Sequence, residues 1–321
     1  VDHYLEVPMD LSEVLFITTA NSLQTIPRPL LDRMEVIEVT SYTENEKLHI
    51  AKEHLVAKQL KKNGLTKKSV RFTDKALAKI IDGYTMEAGV RELERMIAAV
   101  LRKVVRKNYT VGGVNIEKQI VITDKNLSEY LGKVKFIKEK ASRKNEVGIV
   151  RGLAWTAAGG DTLEIEVNVL GGKPELILTG NMGDVMRESA QIALSYVRSV
   201  VRKNQIFEEN AIHIHIPEGA VPKDGPSAGI TMATAIYSAV TGKPVDASTA
   251  MTGEVTLRGR VMPIGGLKEK LLAAKTAGLK RVLVPLENKS DVEELEEEIV
   301  QGLEIVYVSD MKEVLKLAIV K

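Results

Sequence analysis

The segment with the clearest chemical potential is Gly225-Pro226-Ser227-Ala228-Gly229. It has G-x-S-x-G spacing, which can present a serine hydroxyl at a strand-to-helix turn. Residues 228–240 that follow are apolar nearly all round, which predicts a buried helix with its first N–H groups close to Ser227. Those donors and the positive end of the helix dipole can stabilise an oxyanion. The plain alternative is structural. Serine is a favoured N-cap, proline and glycine punctuate helices, and a pentapeptide by itself is more often structural than catalytic.

A nucleophilic serine needs a base. All five histidines (His3, His49, His54, His213 and His215) precede Ser227, which excludes the α/β-hydrolase order of Ser, then Asp or Glu, then His. An Asp–His–Ser order using Asp184 with His213 or His215 stays formally open. A lysine can also serve if burial lowers its pKa toward the working pH. In the predicted helix over 267–277, Leu267, Lys270, Leu271 and Ala274 share one face, while Lys268 and Lys275 point away from it. A lysine in an apolar stripe either snorkels or acts chemically. His213 and His215 are two apart on a predicted strand and face one side, with Ile212, Ile214 and Ile216 on the other. A metal site would need a third ligand that the sequence does not offer, so a structural or substrate-side role is expected for the pair. Trp155, the only tryptophan, is expected in the core.

The elements that must position these residues fall into blocks. Residues 1–40 read as the tail of an α/β unit, with strands at 14–19 and 36–39, a short helix between, and partners that this chain does not supply. Residues 41–132 form a small, mainly α-helical domain. It has a Thr43/Glu46 capping box opening a helix to about Asn63, helices at 73–82 and 89–107, a strand at 120–123, and a helix capped near Asp124. The basic stretch 133–145 reads as a linker. Residues 146–321 alternate strands (148–155, 162–169, 175–179, 212–216, 249–255, 282–284, 304–308) with helices (184–203, 227–241, 267–277, 291–300, 311–319). The fold class is thus α/β and α+β, multidomain. The 321 residues carry 45 basic and 43 acidic side chains, a net charge of +2, so no whole-protein electrostatic case for nucleic acid exists. With no cysteine there is no disulfide, thiol nucleophile or thiolate metal site. No run of eighteen apolar residues or signal-peptide pattern occurs.

At this point the motifs resemble a family. Val221-Pro222-Lys223-Asp224-Gly225-Pro226-Ser227-Ala228-Gly229, Met251-Thr252-Gly253-Glu254-Val255-Thr256-Leu257-Arg258-Gly259 and Pro263-Ile264-Gly265-Gly266-Leu267-Lys268-Glu269-Lys270 are similar, in order and spacing, to segments of the Lon family of ATP-dependent proteases. The resemblance covers the whole chain. It implies a partial AAA+ large subdomain (1–40), the AAA+ small helical subdomain (41–132), a linker (133–145) and an α+β Lon-type proteolytic domain (146–321). It implies a Ser–Lys dyad, with Ser227 as nucleophile and Lys270 as general base, and Thr252 orienting Lys270. Asp224 would gate the site if it paired with Lys270 and raised its pKa. It also implies a sensor-1 role for Asn21, an arginine-finger role for Arg33 and a sensor-2 role for Arg91.

One departure bears on cofactors. No G-x-x-x-x-G-K-[ST] occurs, and no apolar strand ends in a paired Asp-Glu, so the phosphate cradle and Mg²⁺ ligands of a P-loop ATPase are missing. With the non-Met start, this reads as a truncation that needs no cofactor, with ATP and Mg²⁺ implied only for the full-length protein. The resemblance further implies unfolded or damaged proteins as substrates, a hexamer in the full-length protein, no membrane association, and bacterial cytoplasm rather than mitochondrial matrix. The competing reading is a non-enzymatic oligomerisation or DNA-binding module, for which Lys58, Lys61, Lys62, Lys67, Lys68 and Arg71 form a basic cluster without an intervening acid.

Overall fold

The computed structural model describes residues 4, 7–20, 23, 25–37, 39, 41–110, 113–136, 144–156, 159–201, 205–219 and 221–320. The chain divides into two units, Val1–Thr40 and Ser41–Lys321. In the first, the only regular element among the described residues is the short helix Arg28–Leu31. Among the described residues no strand forms at 14–19 or 36–39, and Leu15 and Ile17 are each more than four-fifths exposed. A strand satisfies its backbone N–H and C=O groups only against a neighbour. No other strand is present among the described residues of this unit, so apolar β-branched residues are not enough.

The second unit opens with a helical portion. Thr43 Oγ1 accepts from Glu46 N, and the Glu46 carboxylate accepts from Thr43 N, so the capping box is present on both sides. The helix it starts runs through Glu44–Ile50, a π-helical Ala51–Leu55 and Val56–Lys62. Asp74–Tyr84 and Arg91–Lys107 pack with it around Leu60, Leu77, Ile80, Leu93, Ile97 and Leu101, close to the expected helices. Val70–Phe72 pairs in parallel with Ile120–Ile122. Thr43→Ala removes the cap and should destabilise this portion by about 1 kcal/mol, readable as a lowered midpoint in urea unfolding.

The remainder is built on a seven-stranded mixed sheet. We label its strands, with the hairpin that follows β5, as β1 (Ile149–Thr156), β2 (Gly159–Gly171), β3 (Leu176–Thr179), β4 (Asn210–His215), β5 (Thr249–Met251), β6 (Glu254–Val255), β7 (Val261–Met262), β8 (Arg281–Pro285) and β9 (Glu304–Val308). The sheet order is β9-β8-β5-β1-β2-β4-β3, while β6 and β7 form a separate antiparallel pair. Strands β9, β8, β5 and β1 run parallel. Strand β2 is antiparallel to both its neighbours.

One sheet face packs on helices α1 (Asp184–Val200), α2 (Gly229–Thr241) and α4 (Met311–Ala318), through Ile165, Val167, Ile214, Met251 and Leu283. The other packs on α3 (Leu267–Thr276), through Leu153, Ala250, Val282 and Val284. Strand alternation explains the division, since Ala250 and Met251 are neighbours that face opposite layers. The expected 291–300 helix is two short ones, Lys289–Glu293 and Glu297–Val300, with Val292 and Ile299 buried.

Candidate active site

The expected 249–255 strand breaks after Met251, and the break builds the site. Thr252 N still donates to Leu283 O of β8 (3.1 Å), but Gly253 N turns away to donate to Ser227 O (2.8 Å). Gly253 O in turn accepts from Ile230 N at 3.1 Å. Two backbone bonds therefore dock the first turn of α2 onto the C-terminal end of β5. Ser227 lies in a 3₁₀ turn, Pro226–Ala228, entered from Gly225 at φ +116°, a conformation that glycine adopts without steric cost. The helix proper starts at Gly229 after Ala228, with no side-chain cap. The Ser227 hydroxyl makes no hydrogen bond among the described residues, so the capping alternative has no contact to rest on.

Helix α3 approaches the same end of the sheet from the opposite face. Strand β1 is parallel to β5, so its C-terminal residues, Trp155 and Thr156, lie at the edge where Thr252 and Gly253 lie. Gly266, which opens α3, lies against Trp155: a Cβ at Gly266 would come 2.9 Å from the Trp155 Cβ. One turn further on, Lys270 is buried at 3% relative exposure with Leu267, Leu271 and Ala274. Lys268 is half-buried and Lys275 exposed. Burial pushes the Lys270 amine down to about 8, and no ion pair or hydrogen bond holds its ammonium form among the described residues.

Two expected partners of Lys270 are engaged elsewhere. Thr252 is fully buried, and its Oγ1 donates to Ser227 O at 3.3 Å, so it braces the serine's backbone rather than the lysine. Asp224 Oδ1 accepts from Met186 N (2.9 Å) and Gly225 N (2.8 Å), which ties the loop before Ser227 to the first turn of α1. No ion pair joins Asp224 to Lys270 in this structure; the carboxylate serves helix-start donors instead. Asp224→Ala is therefore expected to lower peptidase rates at every pH while leaving the midpoint of the pH profile unmoved. Initial rates from pH 6 to 10 check this.

A second buried lysine escaped the sequence reading. Lys223 is 7% exposed, and burial lowers its pKa, but its Nζ donates to Glu218 O (2.7 Å) and Val221 O (3.2 Å). Those carbonyls engage the ammonium, whereas Lys270 has no such acceptors among the described residues. It sits in a loop, where no periodicity reports burial. Trp155 corrects an expectation in the other direction, since it is 62% exposed at the rim rather than in the core. Gly266 packs against it, but at the end of its strand most of the side chain stays open to solvent.

The histidine reading resolves locally. Thr179 Oγ1 bonds both His213 Nε2 (2.9 Å) and His215 Nδ1 (2.7 Å), while Ile212, Ile214 and Ile216 fill the core. Asp184 opens α1. No grouping of three His, Asp or Glu side chains suited to a metal ion occurs among the described residues.

Of the nucleotide-related residues, Asn21 lies outside the described residues, Arg33 is exposed in a turn after Arg28–Leu31, and Arg91 is exposed at the start of its helix. The basic cluster is also less bare than its spacing suggests. Lys58 pairs with Glu94 of a neighbouring helix at 2.8 Å, and this contact, with Lys62 nearby, lowers the Glu94 pKa.

The sequence also matches known proteins. The family profile of the Lon protease C-terminal proteolytic domain matches residues 121–321, and that of the Lon protease AAA+ ATPase lid domain matches residues 61–113. The Lon protease of Lachnoclostridium phytofermentans is 58% identical, over 100% of this chain and 44% of its own length. The Lon protease of Clostridioides difficile is 55% identical, over 100% of this chain and 41% of its own. Lon protease 1 of Bacillus subtilis is 53% identical, over 99% of this chain and 41% of its own. The chain thus spans less than half the length of these curated relatives. No helix among the described residues is long and apolar enough to cross a membrane. A mixed sheet that brings a serine turn and a buried lysine helix to one edge, behind a helical lid, agrees with the profile matches, and the chain belongs to the Lon protease family.

Proposed function

We propose that this chain is the peptidase portion of an ATP-dependent protease and cuts unfolded or damaged protein chains by a Ser–Lys mechanism. The observation that carries the reading is Lys270: a buried amine, without an acceptor or counter-ion among the described residues, depressed to about 8, on the helix that starts at the end of the sheet holding the Ser227 turn. In this reading Ser227 Oγ attacks the scissile carbonyl while neutral Lys270 takes its proton. Lys270 then returns that proton to the leaving amine. Backbone N–H groups around Ser227 hold the oxyanion. Thr252 and Gly253 fix the nucleophile's backbone, and Asp224 fixes the loop before it.

Residues 146–321 form the proteolytic domain, 41–132 the small AAA+ subdomain and 1–40 part of the large one, in a protein that works as a hexamer in the bacterial cytoplasm. ATP and Mg²⁺ belong to the longer relatives' ATPase module, and no step here passes through them. This chain alone is expected to release no phosphate from ATP in a phosphate-release assay. Cleavage of a denatured, fluorescein-labelled protein, with and without ATP, tests the whole reading. Nucleotide-independent cleavage supports it, and no cleavage under either condition sinks it.

A further inference from the structure

The hydrogen bond from Ser41 Oγ to Glu269 Oε1, at 2.8 Å, joins positions 228 residues apart. Glu269 is the residue before Lys270 on α3. Consecutive helical side chains diverge by about 100°, so Lys270 enters the core while Glu269 faces the helical portion. Its backbone is pinned as well. Gly160, at the start of β2, lies so close that a Cβ there would come 1.9 Å from Glu269 O. Residue 269 is thus clamped by its carbonyl on the sheet side and by its carboxylate on the lid side.

A second contact reaches the other end of the same helix. Asn45 Nδ2 donates to Glu298 Oε2 at 3.2 Å, and Lys275, in the last turn of α3, donates from Nζ to Glu298 O. Ser41 lies two residues before the capping box of Thr43 and Glu46, and Asn45 lies within it. The capped start of the first lid helix therefore touches α3 near its first turn directly and near its last turn through Glu298. Beside the Ser41–Glu269 contact lies a cleft of about 710 Å³, bordered by Tyr42 and Lys47 on the lid side and by Leu272 and Thr276 on α3. Helix α3 packs on the sheet along its length through Leu267, Leu271 and Ala274, so a change at its lid contacts shifts it as one body rather than bending it locally.

We propose that the Ser41–Glu269 hydrogen bond sets the position of α3, making Glu269 a positioning residue for Lys270 and the lid's first turn the element that controls it. The proposal rests on the Ser–Lys reading above. A displaced α3 leaves substrate binding intact and moves the base off line, so the effect falls on kcat.

The test uses the 321-residue chain with a fluorogenic unfolded peptide. Ser41→Ala and Glu269→Ala should each lower kcat about tenfold with KM changed less than about twofold, since small misplacements of a catalytic group are costly. Ser41→Thr and Glu269→Gln, which keep the donor and an acceptor, should restore most of kcat. The double alanine variant should be no slower than either single one, because both remove the same bond. A thermal melt confirms that each variant is folded. If folded Ser41→Ala and Glu269→Ala keep wild-type kcat, or if their effects simply multiply, the proposal is overturned. Ser227→Ala run beside them separates the two levels. If it still cleaves, or if the wild-type chain does not, the Ser–Lys reading fails and takes this inference with it. If it is inactive while Ser41→Ala is unchanged, only the positioning role fails.

Discussion

Ser227→Ala is expected to abolish peptide cleavage, lowering kcat by about 10⁴-fold or more, since removing the nucleophile leaves only binding and oxyanion stabilisation. The fold should survive. The hydroxyl makes no hydrogen bond among the described residues, and the turn is held through the Ser227 carbonyl by Gly253 N and Thr252 Oγ1, which the substitution leaves in place. The thermal midpoint should therefore stay within a degree or two, since a small change at a partly exposed position away from caps and the core falls within about 0.5 kcal/mol. A peptide boronate, which mimics the tetrahedral intermediate, should add to the wild-type chain at Ser227 and not to the variant, as read by intact mass. Undiminished cleavage by a folded Ser227→Ala protein would remove the serine from the mechanism.

The second large effect is expected at Lys270. Lys270→Met keeps an unbranched side chain in the apolar stripe and deletes the base. Activity should fall to the level of Ser227→Ala, while stability at neutral pH rises. The sign follows from linkage. Burial pushes the native amine down to about 8 from the 10.5 of a solvated lysine in the unfolded chain, so at pH 7 both states hold the proton and the native state bears the burial cost. Between about pH 8 and 10.5 the unfolded state binds more protons, so the stability of the wild-type chain should climb through that window. The methionine variant should show no such climb and should gain on the order of 1–3 kcal/mol at pH 7.

Wild-type peptidase rates should rise through about pH 8 and level off above it, because only the neutral amine accepts the serine's proton. Urea unfolding at pH 7 and pH 10, together with the pH–rate profile, checks the sign. A Lys270→Met protein less stable at pH 7, or a wild-type rate that falls with pH, would contradict the assignment. Lys268→Met is the control. Lys268 lies off the buried stripe, so it should retain activity.

What could be read from the sequence is what depends on near neighbours in the chain. The capping box at Thr43 and Glu46, the termini of α3 and β9 to within a residue, and the burial of Lys270 rather than Lys275 all follow from spacings of three and four or alternation of two. Those periods are local properties of helix and strand, and they survive without knowledge of the fold. The order of the quoted motifs carried the family resemblance in the same way.

The destinations of polar groups were decided by tertiary structure. Asp224 serves Met186 N and Gly225 N, Thr252 turns to Ser227 O, Lys223 is spent on two loop carbonyls, and Ser41 finds Glu269 across 228 positions. Each of these groups had several chemically adequate partners in the sequence, and only packing selects which comes within 3.5 Å. The same holds for apolar residues at element ends. Trp155 has a core residue's chemistry but stands where its strand leaves the covered part of the sheet, and residues 14–19 have a strand's composition but no strand beside them among the described residues. A hydrophobic pattern states what a segment can bury. Whether it is buried depends on a second surface, and that surface is supplied by parts of the fold remote in sequence.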